Sequence, residues 1–165
     1  MRYEDFKLAQ KDTIKIATTN KFKGAESSFK FNFKTSQFSD AIAPTIHVLV
    51  YFNPDNSWML LKDPTTLEHE QIHFNIAELY ARKMRKSIDS LNNLQVNNLQ
   101  IYTEIIEIWN KRYENFDTKF DQEIDDKIYY TGGKYLHLDN KKQKIWKLKI
   151  DRELKSLDNF NQNTK

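Results

Sequence analysis

The spacing of apolar residues changes at Pro64, and this change constrains the fold more than any other feature of the sequence. Before Pro64, residues 13–18 and 27–34 carry apolar side chains at every second position, which predicts half-exposed β-strands. Residues 45–52 are more continuously apolar and β-branched, as is typical of a central strand. We expect a short strand at residues 57–61 to follow this central strand and to form a hairpin with it.

Further along the chain, the apolar residues recur at helical spacing. Thr65 and Glu68 have the spacing of a capping box, and neither glycine nor proline interrupts the chain from there to residue 86. We therefore predict one long helix that ends at about residue 86. A broad apolar stripe over residues 87–120 predicts a second helical region, with Asn97 as the point at which it can break.

The C-terminal part of the chain combines loop and helix signals. Residues 128–137 include two of the three glycines and are predicted to form an irregular loop. A closing helix is expected over residues 140–157, before a polar tail at 159–165. Together these elements predict an α+β fold in one domain over residues 1–158. In this fold a small, mostly antiparallel N-terminal sheet packs on the first long helix, and long C-terminal helices follow.

Composition narrows the classes of protein to which the chain can belong. Its 165 residues suffice for one core, and the absence of cysteine excludes disulfide scaffolds, thiol nucleophiles and cysteine-bound metals. The longest apolar run, residues 46–52, is far shorter than the roughly 20 residues of a membrane-spanning helix. A net charge of +3, with lysines scattered among acids, argues against a nucleic-acid partner. Residues 1–7 lack a secretory signal, so we expect either a cytoplasmic protein or a mature domain without its leader.

The residues that carry chemistry are at positions 69–73, which read His-Glu-Gln-Ile-His. Two imidazoles four residues apart lie one turn apart on one helix face, so His69 and His73 can bind the same Zn²⁺ ion. Glu70 projects beside that face, where it can accept a proton from a water molecule on the zinc. This arrangement is typical of zinc hydrolases of the zincin class. The alternative is a pair of surface histidines on a helix whose other face packs on the sheet.

A catalytic zinc site also needs a third protein ligand. Glu78 is nine residues past His69, which places it near the opposite side of the helix, so we expect a salt bridge with Arg82 instead. His47 lies in the predicted central strand and is interpreted as a surface or structural histidine.

The favoured third ligand is His137. It belongs to the glycine-containing loop, which is the kind of segment that can reach over a helix face. Tyr129 or Tyr130 of the same loop can bind the zinc or donate a hydrogen bond to the oxyanion of the transition state. Simple packing is the alternative role for both tyrosines.

The histidine motif is part of a longer pattern. Its central part is residues 69–82, which read HEQIHFNIAELYAR. Before it come residues 3–6, which read YEDF, and the pair Ser57-Trp58. After it come Gln143, Trp146 and Ile150. This pattern resembles a family of bacterial, mostly secreted or periplasmic, zinc-dependent proteases that is catalogued as a domain of unknown function. Asn75 stands where that family usually has aspartate. Residues 129–137 contain a tyrosine, a threonine and a histidine at a spacing that differs from the family pattern Y-D-x-x-T-x-H.

The resemblance implies a secreted or periplasmic zinc-dependent peptidase that acts on a peptide or protein substrate. His69, His73 and His137 would then hold Zn²⁺, and Glu70 would act as the general base. We expect the exposed edge of the sheet, at residues 57–61, to bind an extended peptide as an additional strand. The alternative function is a catalytically silent binding or structural module that keeps the same scaffold.

Overall fold

The computed structural model describes residues 1–8, 25–59, 62–124, 129–131, 134–136 and 140–161. The strands in these residues are β1 (Lys7–Leu8), β2 (Ala25–Glu26), β3 (Phe29–Ser36), β4 (Thr45–Phe52), β5 (Trp58–Met59), β6 (Tyr129–Thr131) and β7 (Lys134–Leu136). The α-helices are α1 (Pro64–Asn93), α2 (Leu99–Ile124) and α3 (Asn140–Ser156), with short 3-10 turns at Tyr3–Asp5, Pro54–Asn56 and Asp158–Phe160. The predicted α+β fold, with a small N-terminal sheet followed by long helices, is confirmed.

The N-terminal strands form two small sheets with mostly antiparallel pairing. β3 and β4 pair antiparallel along their whole length, which confirms the predicted strands at 27–34 and 45–52 with small shifts. β5 lies between β1, to which it is parallel, and β2, to which it is antiparallel. The predicted strand at residues 13–18 lies outside the described residues.

The prediction that residues 57–61 form a hairpin with β4 is wrong. The buried Ser57 side chain holds a corner that turns the chain away from β4. Its hydroxyl donates a hydrogen bond to the Asn53 carbonyl (2.7 Å) and accepts one from the Ser28 N–H (2.9 Å). Because of this corner, β5 pairs with β1 and β2, and a strand lies on each side of it.

Helix α1 begins two residues earlier than the capping box at Thr65 indicates. Asp63, and not Thr65, is the N-cap residue. Its Oδ1 atom accepts hydrogen bonds from the N–H groups of Thr65 (2.9 Å) and Thr66 (3.1 Å), and Pro64 takes the first helical position. The predicted helix start is therefore correct to within two residues, although the capping residue is a different one.

The C-terminal end of α1 differs from the prediction more than its N-terminal end does. The helix continues through Asn93, because buried residues such as Ile88 extend its apolar face past the expected end. It ends where Gln95 adopts a left-handed backbone conformation (φ 54°). The predicted break near Asn97 is confirmed by the start of α2 shortly after it.

Helix α1 is central to the fold because it is buried on two sides. One set of its residues packs against α2 and α3, and another packs beneath β4. The first cluster contains Ile72, Ile76, Leu79 and Tyr80 with Phe120, Ile124, Trp146, Ile150 and Leu157. The second contains Ala77, Ala81, Met84 and Ile88 with Ile46, Val48, Val50 and Tyr102. The predicted packing of the sheet on the helix that carries the histidine motif is confirmed.

Glu78 links α1 to the C-terminal turn. Its carboxylate accepts hydrogen bonds from Arg82 Nε (2.9 Å) and Arg85 Nη1 (3.0 Å), which confirms the predicted Glu78–Arg82 salt bridge. Arg85 also donates a hydrogen bond to the Phe160 carbonyl (2.8 Å). Glu78 is thus a structural residue on the side of α1 that faces the end of the chain.

The region predicted to be an irregular loop contains a short hairpin, since β6 and β7 pair antiparallel. Tyrosine and threonine favour extended backbone, which explains why the loop prediction fails at residues 129–131 and 134–136. The closing helix is confirmed by α3. Among the described residues, no helix combines the length and apolar character needed to cross a membrane.

Candidate metal centre

His69 and His73 lie side by side in the second and third turns of α1. Their Nε2 atoms are 3.1 Å apart, as expected for an i, i+4 pair on one helix face. The His73 side chain is only 10% exposed, and that of His69 is 24% exposed. The predicted convergence of the two imidazoles on one point is therefore present in the structure.

A carboxylate of α2 completes this group. Asp121 Oδ1 lies 2.9 Å from His73 Nε2 and 3.3 Å from His69 Nε2. The Asp121 side chain is 52% exposed, so the group is buried on the histidine side and open to solvent on the carboxylate side. These three residues form a group that could hold a metal ion.

The three donor atoms lie close enough together to share one ion. Their separations are 2.9, 3.1 and 3.3 Å. Metal–nitrogen and metal–carboxylate bonds of about 2.0–2.2 Å can therefore reach all three atoms from one point. Two imidazoles and one carboxylate also leave the fourth position of a tetrahedral ion unfilled, which is typical of catalytic sites.

A second carboxylate of α2 orients His73. Asp117 Oδ1 lies 2.6 Å from His73 Nδ1, and because a carboxylate can only accept, Nδ1 carries the proton and donates it. This bond leaves Nε2 directed at Asp121 and His69. Carboxylates that accept a hydrogen bond from a metal-ligating histidine fix its tautomer and raise its basicity.

The phenyl ring of Phe120 closes the inner side of the group. Its centroid lies 4.9 Å from the ring of His69 and 4.8 Å from that of His73, in a stacked and an edge-on arrangement respectively. Phe120 is fully buried in the core cluster. The histidines therefore sit against an apolar wall, which limits their movement and favours strong electrostatic interactions.

Electrostatics favour a cation at this point. Burial alone lowers the pKa of His73, but the hydrogen bonds to Asp117 and Asp121 outweigh it and raise the pKa to about 10. Burial raises the pKa of Asp121, but the hydrogen bonds from His69 and His73 outweigh it and hold the pKa well below its ordinary value of 3.8. The cation can be a proton on His73 or a metal ion that displaces it.

Glu70 lies close to the two histidines on α1, and its role as the general base stays a prediction. It lies about 60° from His73 around the helix axis, at about 100° per residue. Glu70 is only 3% exposed. It is therefore a buried residue in the same turns of α1 as the two histidines.

The other predicted site residues are placed only in part. His137 lies outside the described residues, so its role as a ligand stays a prediction. Tyr129 and Tyr130 form part of β6, and their proposed role at the oxyanion also stays a prediction. His47 lies on the exposed side of β4, opposite Lys34, in agreement with its interpretation as a surface histidine.

Neither Asp117 nor Asp121 was predicted from the sequence, because the third ligand was expected mainly among the histidines. Asp117 and Asp121 are four residues apart, the same i, i+4 spacing as His69 and His73. This spacing places both carboxylates on one face of α2, and that signal was present in the sequence.

Comparisons with known proteins give this chain no relatives. No protein-family model matches it, no curated protein sequence matches it, and no solved structure matches it. The resemblance to the zinc-dependent protease family stays a prediction.

Replacing Asp117 with asparagine tests whether this residue supports a metal ligand. We expect Asp117→Asn to weaken zinc binding by about 10–100-fold, because the outer hydrogen bond of a ligating histidine typically contributes this much. Competition titration against a chromophoric chelator measures the change. Glu107→Gln, at an exposed position on the same helix, is the matched control and should leave the affinity unchanged. Equal affinities for both variants would contradict the role of Asp117.

Proposed function

We propose that the protein is a zinc-dependent metallohydrolase, most specifically a peptidase, with His69, His73 and Asp121 as the zinc ligands. The observation that carries the proposal is the convergence of three donor atoms from two helices within bonding reach of one ion. The buried Glu70 next to these ligands supports catalysis over simple metal storage, because a purely structural site has no use for a carboxylate there.

The residues of the chain divide the work of peptide hydrolysis. A zinc ion at this position supplies a Lewis acid that polarises a carbonyl and lowers the pKa of water to about 7. Glu70 accepts a proton from the attacking water as its oxygen bonds to the carbonyl carbon. Glu70 then returns this proton to the leaving amine as the carbon–nitrogen bond breaks. Asp117 keeps His73 in the tautomer that the reaction needs.

The proposed place of substrate binding differs from the one expected from the sequence. Residues 57–61 were the expected docking edge, but β5 is paired on both sides. Among the described residues β3 pairs with β4 alone, so β3 is one of the strands with a free edge. We therefore place the extended substrate along the outer edge of β3.

Two hydrogen bonds identify which backbone groups of β3 face outward. The Asn53 N–H donates to the Ser28 carbonyl (2.8 Å), which makes this a hydrogen-bonded pair at the start of the β3–β4 ladder. The Val48 carbonyl accepts from Arg85 Nε (2.9 Å), on the side of β4 away from β3. In an antiparallel ladder, hydrogen-bonded pairs alternate with pairs whose N–H and C=O groups point away from the partner strand. Phe31 and Phe33 belong to pairs of the second kind, so their backbone groups point to the free edge of β3.

This edge passes close to the metal centre. The Phe29 ring contacts Phe74, the residue after His73, at a centroid distance of 5.6 Å. The Phe31 ring contacts Tyr113, one turn before Asp117, at 5.0 Å. A peptide added to β3 would therefore run past the residues that bind and support the zinc, with its backbone bonded to β3.

The experiment that tests this function is the metal dependence of peptide cleavage. We expect the purified protein loaded with one zinc per chain to cleave members of a random peptide library, as detected by mass spectrometry. Removal of zinc with 1,10-phenanthroline should abolish cleavage, and addition of zinc should restore it. Zinc binding without any cleavage would overturn the peptidase proposal in favour of a silent binding module, and failure to bind zinc would overturn both.

A further inference from the structure

Helix α3 concentrates the positive charge of the protein. Its seventeen residues include seven lysines or arginines and two acids, a net charge of +5. The whole chain has a net charge of +3, so the remainder of the chain is net negative by two. The basic residues are Lys141, Lys142, Lys144, Lys147, Lys149, Arg152 and Lys155, and the acids are Asp151 and Glu153.

The face of α3 that points away from the core is both basic and apolar. The opposite face, with Gln143, Trp146 and Ile150, is buried. At about 100° per residue, six positions fall within an outer arc of about 100°. These are Lys141, Lys144, Ile145, Leu148, Arg152 and Lys155, which we call the outer face of α3. Ile145 and Leu148 are 64% and 65% exposed.

The two acids of α3 do not neutralise this face. Asp151 pairs with Lys147 at 2.7 Å, and Glu153 pairs with Lys83 of α1 at 2.9 Å. Within the described residues, no ion pair reaches Lys144, Arg152 or Lys155. The outer face therefore differs from an ordinary solvent-exposed helix, on which opposite charges alternate and pair.

We propose that the outer face of α3 binds the surface of an anionic lipid bilayer. Two exposed aliphatic side chains surrounded by lysine and arginine are the pattern of a helix that lies in the membrane interface, where the basic side chains reach lipid phosphates. The net negative remainder of the chain would orient the protein so that α3 faces the membrane. The proposal is independent of the hydrolase function.

The side chains of the outer face favour lipid over nucleic acid. Binding to single-stranded nucleic acid uses exposed aromatic rings on which bases stack. The outer face has none, and the one tryptophan of α3, Trp146, is buried and donates its Nε1–H to Glu123 (2.9 Å). The aliphatic pair at Ile145 and Leu148 has no partner in a phosphate backbone, but it fits the acyl boundary of a bilayer.

Vesicle sedimentation tests the proposal on the full chain. We expect binding to phosphatidylcholine vesicles that contain roughly 30% phosphatidylglycerol, no binding to pure phosphatidylcholine, and weaker binding as salt is raised. Lys144→Glu with Arg152→Glu should reduce the partition coefficient by at least about 30-fold, since two basic residues are lost at the surface. Ile145→Ser with Leu148→Ser should reduce it by about tenfold without a change in net charge.

A charge-matched control distinguishes vesicle binding by the outer face of α3 from binding that depends on net charge alone. Lys30→Glu with Lys34→Glu changes two exposed lysines on β3 and should leave vesicle binding nearly unchanged. Circular dichroism checks that all variants remain folded. The proposal is overturned if this control loses binding equally, if neutral vesicles bind as well as anionic ones, or if the serine variant binds normally. Tighter binding to single-stranded RNA than to anionic vesicles would also overturn it.

Discussion

Peptide hydrolysis should fall by about 10²–10⁴-fold in the Glu70→Gln variant, while zinc still binds with unchanged stoichiometry. Glutamine has the size of glutamate but cannot accept the proton of the attacking water at neutral pH. Glu70 is buried, and glutamine fills the same volume without a charge to bury. The fold should therefore be retained, with a melting temperature equal to or above that of the wild type.

The measurement pairs kcat/KM for a cleaved peptide with zinc content from elemental analysis of the same sample. Glu107→Gln, an exposed change of the same kind on α2, is the control for loss of a negative charge and should keep full activity. A Glu70→Gln protein that cleaves at the wild-type rate would exclude Glu70 as the general base. Loss of zinc together with activity would show instead that Glu70 is needed for the metal.

Asp121→Ala should weaken zinc binding by at least about 100-fold, because loss of a ligand should exceed the 10–100-fold typical of outer hydrogen-bond partners. The Asp121 side chain is 52% exposed, so this substitution removes a ligand with little damage to the core. His73→Ala should lose zinc as well. It also leaves Asp117 without its hydrogen-bond partner beside Phe120, so we expect lower stability in addition.

His137→Ala, measured in the same titration, separates the two candidates for the third ligand. If Asp121 completes the site, His137→Ala should bind zinc as tightly as the wild type. If His137→Ala loses zinc and Asp121→Ala does not, the ligand set favoured by the sequence is right and the set proposed from the structure is wrong. Comparable losses in both variants would indicate four protein ligands, which describes a closed structural site and would contradict catalysis.

The sequence predicts the histidine pair well because the information is local. An i, i+4 spacing on a helix fixes the relative position of His69 and His73 wherever the helix packs. The same holds for the Glu78–Arg82 pair, which forms as expected. The alternation in β3 and the apolar run in β4 likewise predict two strands that the structure contains.

The third ligand depended on a long-range feature, the antiparallel pairing of α1 with α2. Residue 95 lies midway in the sequence between His73 and Asp117, and also between His69 and Asp121, and the structure brings each pair together. This symmetry is that of an antiparallel helical hairpin whose turn is at Gln95. The break near Asn97 was predicted, but the packing of the two helices against each other was not, so Asp121 was not aligned with the motif.

The strands that pair with β5 could not be predicted from the local sequence either. Two residues with extended backbone do not specify a neighbour, and the corner at Ser57 depends on hydrogen bonds to Asn53 and Ser28. Ser28 is distant in the sequence, so its contribution follows only from the folded chain.

Diffraction at the zinc absorption edge, from crystals of the protein grown with equimolar zinc, tests the metal centre most directly. We predict one strong anomalous peak per chain, about 2.0–2.2 Å from His69 Nε2, His73 Nε2 and an Asp121 oxygen. The absence of a peak at this position, or a peak bonded to other residues, would contradict the assignment of these three side chains as a metal centre.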